Sequence, residues 1–194
     1  MDNLIDFNER KKYHDLKKEI PDKYIELSLL PEQIAYIRDN IQHGINYIFN
    51  AKEDIARNIV KGKIKEGILP NNANIEIQAW DHIGEATDYD DTLVVILALV
   101  NGFSKLGPDI NDLTYGISLH IYEIKHILFL FGIIKNHSPK NNNSDEVGTL
   151  EPLEKELLSI YEHEEDTILE FENKYTMEEK VAIFELIGRI RVSW

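Results

Sequence analysis

The chain has 194 residues, 35 acids against 21 bases, and no cysteine. Its net charge of −14 works against binding nucleic acid through phosphates and against docking on anionic lipid. Without cysteine there is no disulfide framework, thiolate metal site or thiol nucleophile. The length suits one domain, and an apolar fraction of 43% is enough to bury a core.

In chain order, residues 2–20 are charged with scattered apolar members and predict a loose helix that stops at Pro21. Pro31 stands where a first helical turn tolerates proline. After it Ile34, Ile37, Ile41, Ile45, Ile48, Ile55 and Ile59 form one stripe of a long helix running to about Lys65. Leu69-Pro70-Asn71-Asn72 reads as a loop. Ile75, Ile77 and Ala79 alternate with polar residues in the manner of a short strand, with no evident partner. An irregular or short extended segment is therefore expected near 69–80. Asp90 or Asp91 is placed to cap a helix that ends at Leu106-Gly107-Pro108. Asp109 or Asn111 is expected to open the next helix, reaching about Lys135. That helix is apolar almost all round, which marks it as central. Residues 137–148 form a polar, asparagine-rich segment, expected to be a mobile loop. Thr149 and Pro152 then start a helix with Leu153, Leu157, Tyr161, Ile168 and Phe171 inward. Thr176-Met177-Glu178-Glu179 has the spacing of a capping box and opens the last helix. The sum is an all-α fold: a single compact bundle of about six helices spanning 1–194.

The charge is unevenly placed. Residues 1–66 hold 12 acids and 12 bases, whereas residues 67–194 hold 23 acids and 9 bases. The whole excess lies in the second part. One block comprises Glu76, Asp81, Glu85, Asp88, Asp90 and Asp91, with no base between them. The other runs from Asp145 to Glu172 and holds 11 acids, Glu162, Glu164, Glu165 and Asp166 among them, against Lys155 alone. Such asymmetry marks either an interaction surface or a solvated helix face.

Three constellations bear on chemistry. Glu123 and His126 have the Glu-x-x-His spacing of carboxylate di-iron bundles, where i and i+3 side chains lean toward one metal. His120 lies one turn earlier. His82 with Glu85 and Glu162 with His163 are the nearest complements, and neither repeats the motif. The bland alternative is a buried His–Glu hydrogen bond that fixes packing. Tyr89-Asp90-Asp91-Thr92 resembles the Asp-Asp-Thr metal-binding motif of ADP-ribosylglycohydrolases, over four residues. That resemblance implies a second aspartate-rich motif late in the chain. Residues 161–166, the late acidic run, do not match it. The plainer role is a helix start with acids at the positive end of the dipole. Third, Trp80 and Tyr89 are interleaved with the first acidic block. Aromatics supply contact area and acids steer a basic protein, unless Trp80 is core and the acids its wet rim. No serine lies in a glycine-flanked nucleophile elbow.

Size, charge and lack of catalytic motifs are similar to those of small cytoplasmic immunity proteins and antitoxins of bacteria. The expected function is inhibition of a basic partner, with a nuclease toxin as the natural target class. Its phosphate-binding cleft would accept a run of carboxylates. Glu76, Trp80, Asp81, Glu85, Asp88, Tyr89, Asp90, Asp91, Glu162, Glu164, Glu165 and Asp166 are the expected partner-binding residues. No catalytic residue, cofactor, nucleic acid or membrane is expected. The alternative is a metal-binding helical bundle, enzymatic or for storage, built on His120, Glu123 and His126. The charged start of the chain lacks the apolar centre of a secretory leader. The most apolar stretches, 93–100 and 127–134, fall short of the roughly 20 residues of a bilayer span. Together these make a cytoplasmic location the expectation.

Overall fold

A computed structural model of the chain describes residues 15–16, 18–106, 115–137, 149–187 and 191–193. The described elements, in order, are β1 (Tyr24–Leu29), α1 (Pro31–Lys65), α2 (Ile75–Asp81), a 3₁₀ turn (Ile83–Glu85), α3 (Asp90–Ser104), β2 (Tyr115–His120), a second 3₁₀ turn (Ile121–Glu123), α4 (Ile124–His137), α5 (Glu151–Lys174), α6 (Met177–Ile187) and β3 (Arg191–Ser193). Six helices among the described residues make the expected mostly helical bundle, although α2 is not one of those that the periodicity predicts. Residues 15–16 and 18–19 are helical. Ile20 is a bend; the rest of the predicted 2–20 helix, the predicted stop at Gly107-Pro108 and nearly all of the 137–148 loop lie outside the described residues.

α1 starts on Pro31, with Gln33 Oε1 accepting from the Leu30 backbone N–H at 2.9 Å. At 1.5 Å per residue its 35 residues span roughly 50 Å. Its buried face runs Ile34, Ile37, Ile41, Gly44, Ile48, Lys52, Ala56 and Val60. The far half is therefore lined by small residues and a lysine, and Ile55 is only half-buried. At Gly44, α1 faces Leu130 of α4. A Cβ there would lie 2.3 Å from Leu130 Cδ1.

Three expectations are corrected. First, the helix predicted from Asp109 or Asn111 to Lys135 is broken in two. Residues 115–120 form β2, the central strand of an antiparallel sheet ordered β1-β2-β3. In β1, Leu27 and Leu29 are buried while Glu26 and Ser28 are exposed, the period-2 pattern of a strand with one wet face. β2 is covered on both faces and buries five of its six residues, all but Gly116. Only from Ile124 does the chain turn helical. Second, residues 75–81 form a helix, α2. Asn74 Oδ1 accepts from the backbone N–H groups of Glu76 and Ile77 at 3.0 and 3.2 Å. That cap outweighs the strand-like alternation. The irregular part is confined to the stretch before Ile75. Third, neither Asp90 nor Asp91 is the cap of α3. Tyr89 holds that position without a side-chain bond, and both aspartates lie in the first turn. The start of α5 differs in the same way: its cap is Leu150, again without a side-chain bond. The capping box at α6 forms as predicted, with Glu179 N donating to Thr176 Oγ1 and Thr176 N to Glu179 Oε2.

α4 is central, packed on α1, α3 and α5, while α6 packs on α3. The main core gathers Ile34, Ile96, Phe103, Ile124, Leu130 and Phe184, all at most 2% exposed. α2 belongs to a separate small cluster made of Ala56, Ala79 and Ala86 with Ile55 and Ile83. No helix among the described residues is long and apolar enough to cross a membrane.

Candidate functional site

Two surfaces and one buried cluster follow from this layout. α2 lies against α1 through Ala79, and its other side is open. Trp80 is 64% exposed and Ile77 is 61% exposed, one helical turn apart and therefore on one face. Glu76, Asp81 and Glu85, close to them in the chain, are exposed, and so is Asp88, which lies at the rim of the pocket between α3, α4 and α5. Trp80 is thus no core residue with an acidic rim. The aromatic is itself the surface.

The acids of this block differ in what they are free to do. Although no base separates them along the chain, α1 supplies bases across space. Arg57 Nε donates to Glu76 at 2.9 Å. Lys63 Nζ donates to Glu85 at 2.6 Å, which holds that carboxyl below its usual range, chiefly through this hydrogen bond. Lys52, almost buried, pairs with Asp90. Asp81 and Asp88 have no ion pair among the described residues. Tyr89 is half-buried and stacks on Phe129, centroids 6.1 Å apart.

The second surface is the outer side of α5. Leu158, Glu162, Glu165 and Leu169 recur at spacings of four, three and four, so they form one stripe, with Asp166 beside it. All five are exposed. Glu164 is half-buried and bonded to Lys23 at 2.7 Å. That contact holds its carboxyl below the usual range.

The cluster lies between α3, α4 and α5, where the two acidic blocks converge. Asp91, His126 and Glu172 each place one potential ligand atom within 4.8 Å of the others. They line a pocket of about 370 Å³ together with Asp88, Tyr89, Thr92, Lys125, Phe129, Met177 and Lys180. Thr92 Oγ1 is 2.8 Å from His126 Nδ1 and donates to Asp91 Oδ1 at 3.3 Å. The hydroxyl has one proton: given to Asp91, it leaves the hydroxyl to accept from Nδ1–H, and given to Nδ1, it puts the ring proton on Nε2. His126 is 2% exposed, edge-on to Phe184, and its buried Nε2 has no hydrogen-bond partner among the described residues. Burial first, and then the nearby Lys125 charge, depress its pKa to about 3, so the ring is neutral. Burial raises the pKa of Asp91. Burial also works to raise that of Glu172, but Lys125 at 2.5 Å and Lys180 at 2.7 Å outweigh it and hold the carboxyl low.

The trio His120, Glu123 and His126 does not converge in this way. His120 Nε2 bonds the Pro21 carbonyl at 2.8 Å, and its Nδ1 accepts from Tyr122 N–H at 3.3 Å. Glu123 Oε2 accepts from the His120 backbone N–H at 2.7 Å. Both side chains cap the turn between β2 and α4, and His126 alone reaches the pocket. Asp91, read as surface, is 3% exposed and joins His126 instead. Glu172, Lys125 and Lys180 were not singled out by their sequence pattern. The nearest signal was that Glu172 closes the second acidic block.

No known protein family, curated protein or solved structure matches the chain.

Proposed function

We propose that the protein is an acidic binding protein that captures and masks a basic protein, in the manner of bacterial immunity proteins and antitoxins. The observation that carries this reading is the exposure of Trp80 and Ile77 on α2 among carboxylates close in the chain. A large aromatic kept out of the core, on a helix seated on a small cluster of alanines and two isoleucines, is an expected anchor for an interface. Asp81 and Asp88, free of ion pairs among the described residues, supply the steering charge. A nuclease toxin is the partner class with the best complement, since a cleft built for phosphates accepts carboxylates. Lack of cysteine suits the reducing cytoplasm, where such an inhibitor would meet its toxin.

The test is capture from native cells with the wild-type chain and with Trp80→Ala and Asp81→Lys/Asp88→Lys. The reading requires a captured protein that is basic, that the wild type holds at low salt and releases at high salt, and that both variants lose. Capture that is indifferent to these changes, or of an acidic protein, defeats it.

A further inference from the structure

The pocket between α3, α4 and α5 does work that a binding surface on α2 does not need. A buried imidazole normally has both ring nitrogens satisfied, yet His126 Nε2 is buried without a partner among the described residues. With the ring proton on Nδ1 and the Thr92 proton on Asp91, that nitrogen presents a lone pair. The opposite nitrogen is held by Thr92, and Thr92 is held in turn by Asp91. Metal-binding histidines are oriented in this way, the far N–H tied to a polar group so that the near nitrogen presents its lone pair. Two carboxylates stand within ligand reach of the same ring. The pocket around them has room for solvent or a small co-ligand.

We propose that Asp91, His126 and Glu172 bind a divalent first-row transition-metal ion, with Thr92 as the positioning residue for His126. One imidazole and two carboxylates form a mixed nitrogen–oxygen set. Such a set suits Zn²⁺ or Mn²⁺ better than Mg²⁺ or Ca²⁺, which prefer oxygen alone. Three protein ligands leave at least one coordination position for water or substrate, the arrangement of a working rather than a purely structural zinc site.

The lysines decide the charge balance. Asp91 and Glu172 carry two negative charges, and Lys125 and Lys180 carry two positive ones. A divalent ion must therefore displace one lysine from Glu172. Lys125 is the one to go. Its side chain is 32% exposed against 11% for Lys180, and it pairs with Oε1 whereas Lys180 takes Oε2. Binding thus swings Lys125 toward solvent while Lys180 keeps the far oxygen. Removing Lys125 removes a competitor.

Metal-stripped full-length protein is titrated with Zn²⁺ and Mn²⁺ by calorimetry, and with Co²⁺ by its d–d absorption. One ion per chain is expected. At a hundredfold excess over Kd the melting temperature rises by roughly 5–10 °C. Asp91→Asn and Glu172→Gln each lower affinity at least about tenfold, as loss of a ligand does, and change the Co²⁺ spectrum. Lys125→Met raises affinity several-fold. His126→Gln is added, but the two near-isosteric carboxylate variants keep the test decisive if it folds poorly. The proposal is overturned if the wild type takes up no stoichiometric ion. It is equally overturned if Asp91→Asn and Glu172→Gln bind as the wild type does, since the ion then sits on other histidines. Neither outcome touches the Trp80 surface, which is read by partner capture.

Discussion

Glu123 and His126, one helical turn apart, have opposite responses to burial. Burial lifts the Glu123 carboxyl to about 7, against a smaller opposing effect of the His120 backbone N–H. It drops His126 to about 3. The signs follow from proton counts. Between about pH 4.5 and 7 the folded chain keeps a proton on Glu123 that the unfolded chain has lost, so this residue makes stability fall as pH rises. Between about pH 3 and 6.5 the unfolded chain holds a proton on His126 that the folded chain lacks, so that residue makes stability rise. Where the windows overlap, the two effects cancel. Glu123→Gln keeps an acceptor for the His120 N–H and removes only the first effect. Its stability relative to wild type should climb by up to about 1.4 kcal/mol per pH unit between pH 4.5 and 7 and then level off. Urea unfolding at half-unit pH steps measures this, and a difference that is flat across the window contradicts it. The Glu-x-x-His spacing was legible, as was the burial of its helix. Its division of labour was not. Whether Glu123 faces a metal or its own turn depends on where β2 ends, and side-chain spacing holds no record of that.

Elements were legible where one period ran long enough to dominate. The isoleucine stripe gives α1, and Leu153, Leu157, Ile168 and Phe171 give α5. Short elements were decided by partners and caps instead. β1 has a clean period-2 pattern in Ile25, Leu27 and Leu29, set between Pro21 and Pro31, and that is its one local signal. β2 is buried on both faces, so its apolar run merges with that of α4 and reads as one helix. At α2 the alternation of Ile75, Ile77 and Ala79 misled, and Asn74 was the informative residue. Asn74→Ala should cost about 1 kcal/mol. Because α2 sits outside the main core, that cost should appear as faster amide exchange in 75–81 rather than as a large drop in global stability. Slowed or unchanged exchange there would show that the cap matters little. The crossing of α1 and α4 makes a harder demand. Alanine is ordinarily the better helix residue by about 1 kcal/mol. At Gly44, however, its Cβ drives into Leu130 Cδ1. That atom ends a flexible side chain, so the core yields in part, but overpacking costs about 1–3 kcal/mol. Gly44→Ala should destabilise by a net of up to about 2 kcal/mol, whereas Gly44→Ala with Leu130→Val should recover part of the loss. Denaturant midpoints of the two variants decide it.

At the scale of the molecule, folding redistributes the charge. The neutral first 66 residues spend their bases on the acidic remainder: Lys23 on Glu164, Lys52 on Asp90, Arg57 on Glu76 and Lys63 on Glu85. The pairs other than Lys52–Asp90 are partly exposed and contribute little stability each, but all four decide which acids are left to act at a distance. Of the twelve acids and aromatics expected to meet a partner, Asp81, Asp88, Glu162, Glu165 and Asp166 are exposed acids without an ion pair among the described residues. They should govern approach, and Trp80 should govern retention. Reversing Asp81 and Asp88 to lysine should slow association with the captured partner about tenfold or more at low ionic strength, an effect that fades as salt screens the field. Trp80→Ala should leave that rate within a few-fold and speed dissociation about 30-fold, the kinetic face of roughly 2 kcal/mol at an anchor residue. Glu76→Gln, which removes one of the three carboxylates that share Arg57, the others being Glu53 and Asp54, should change association less than either reversal. Biolayer interferometry across a salt series separates the three. If Glu76→Gln slows association as much as the Asp81 and Asp88 reversals, net charge alone sets the encounter and the ion pairs have selected nothing.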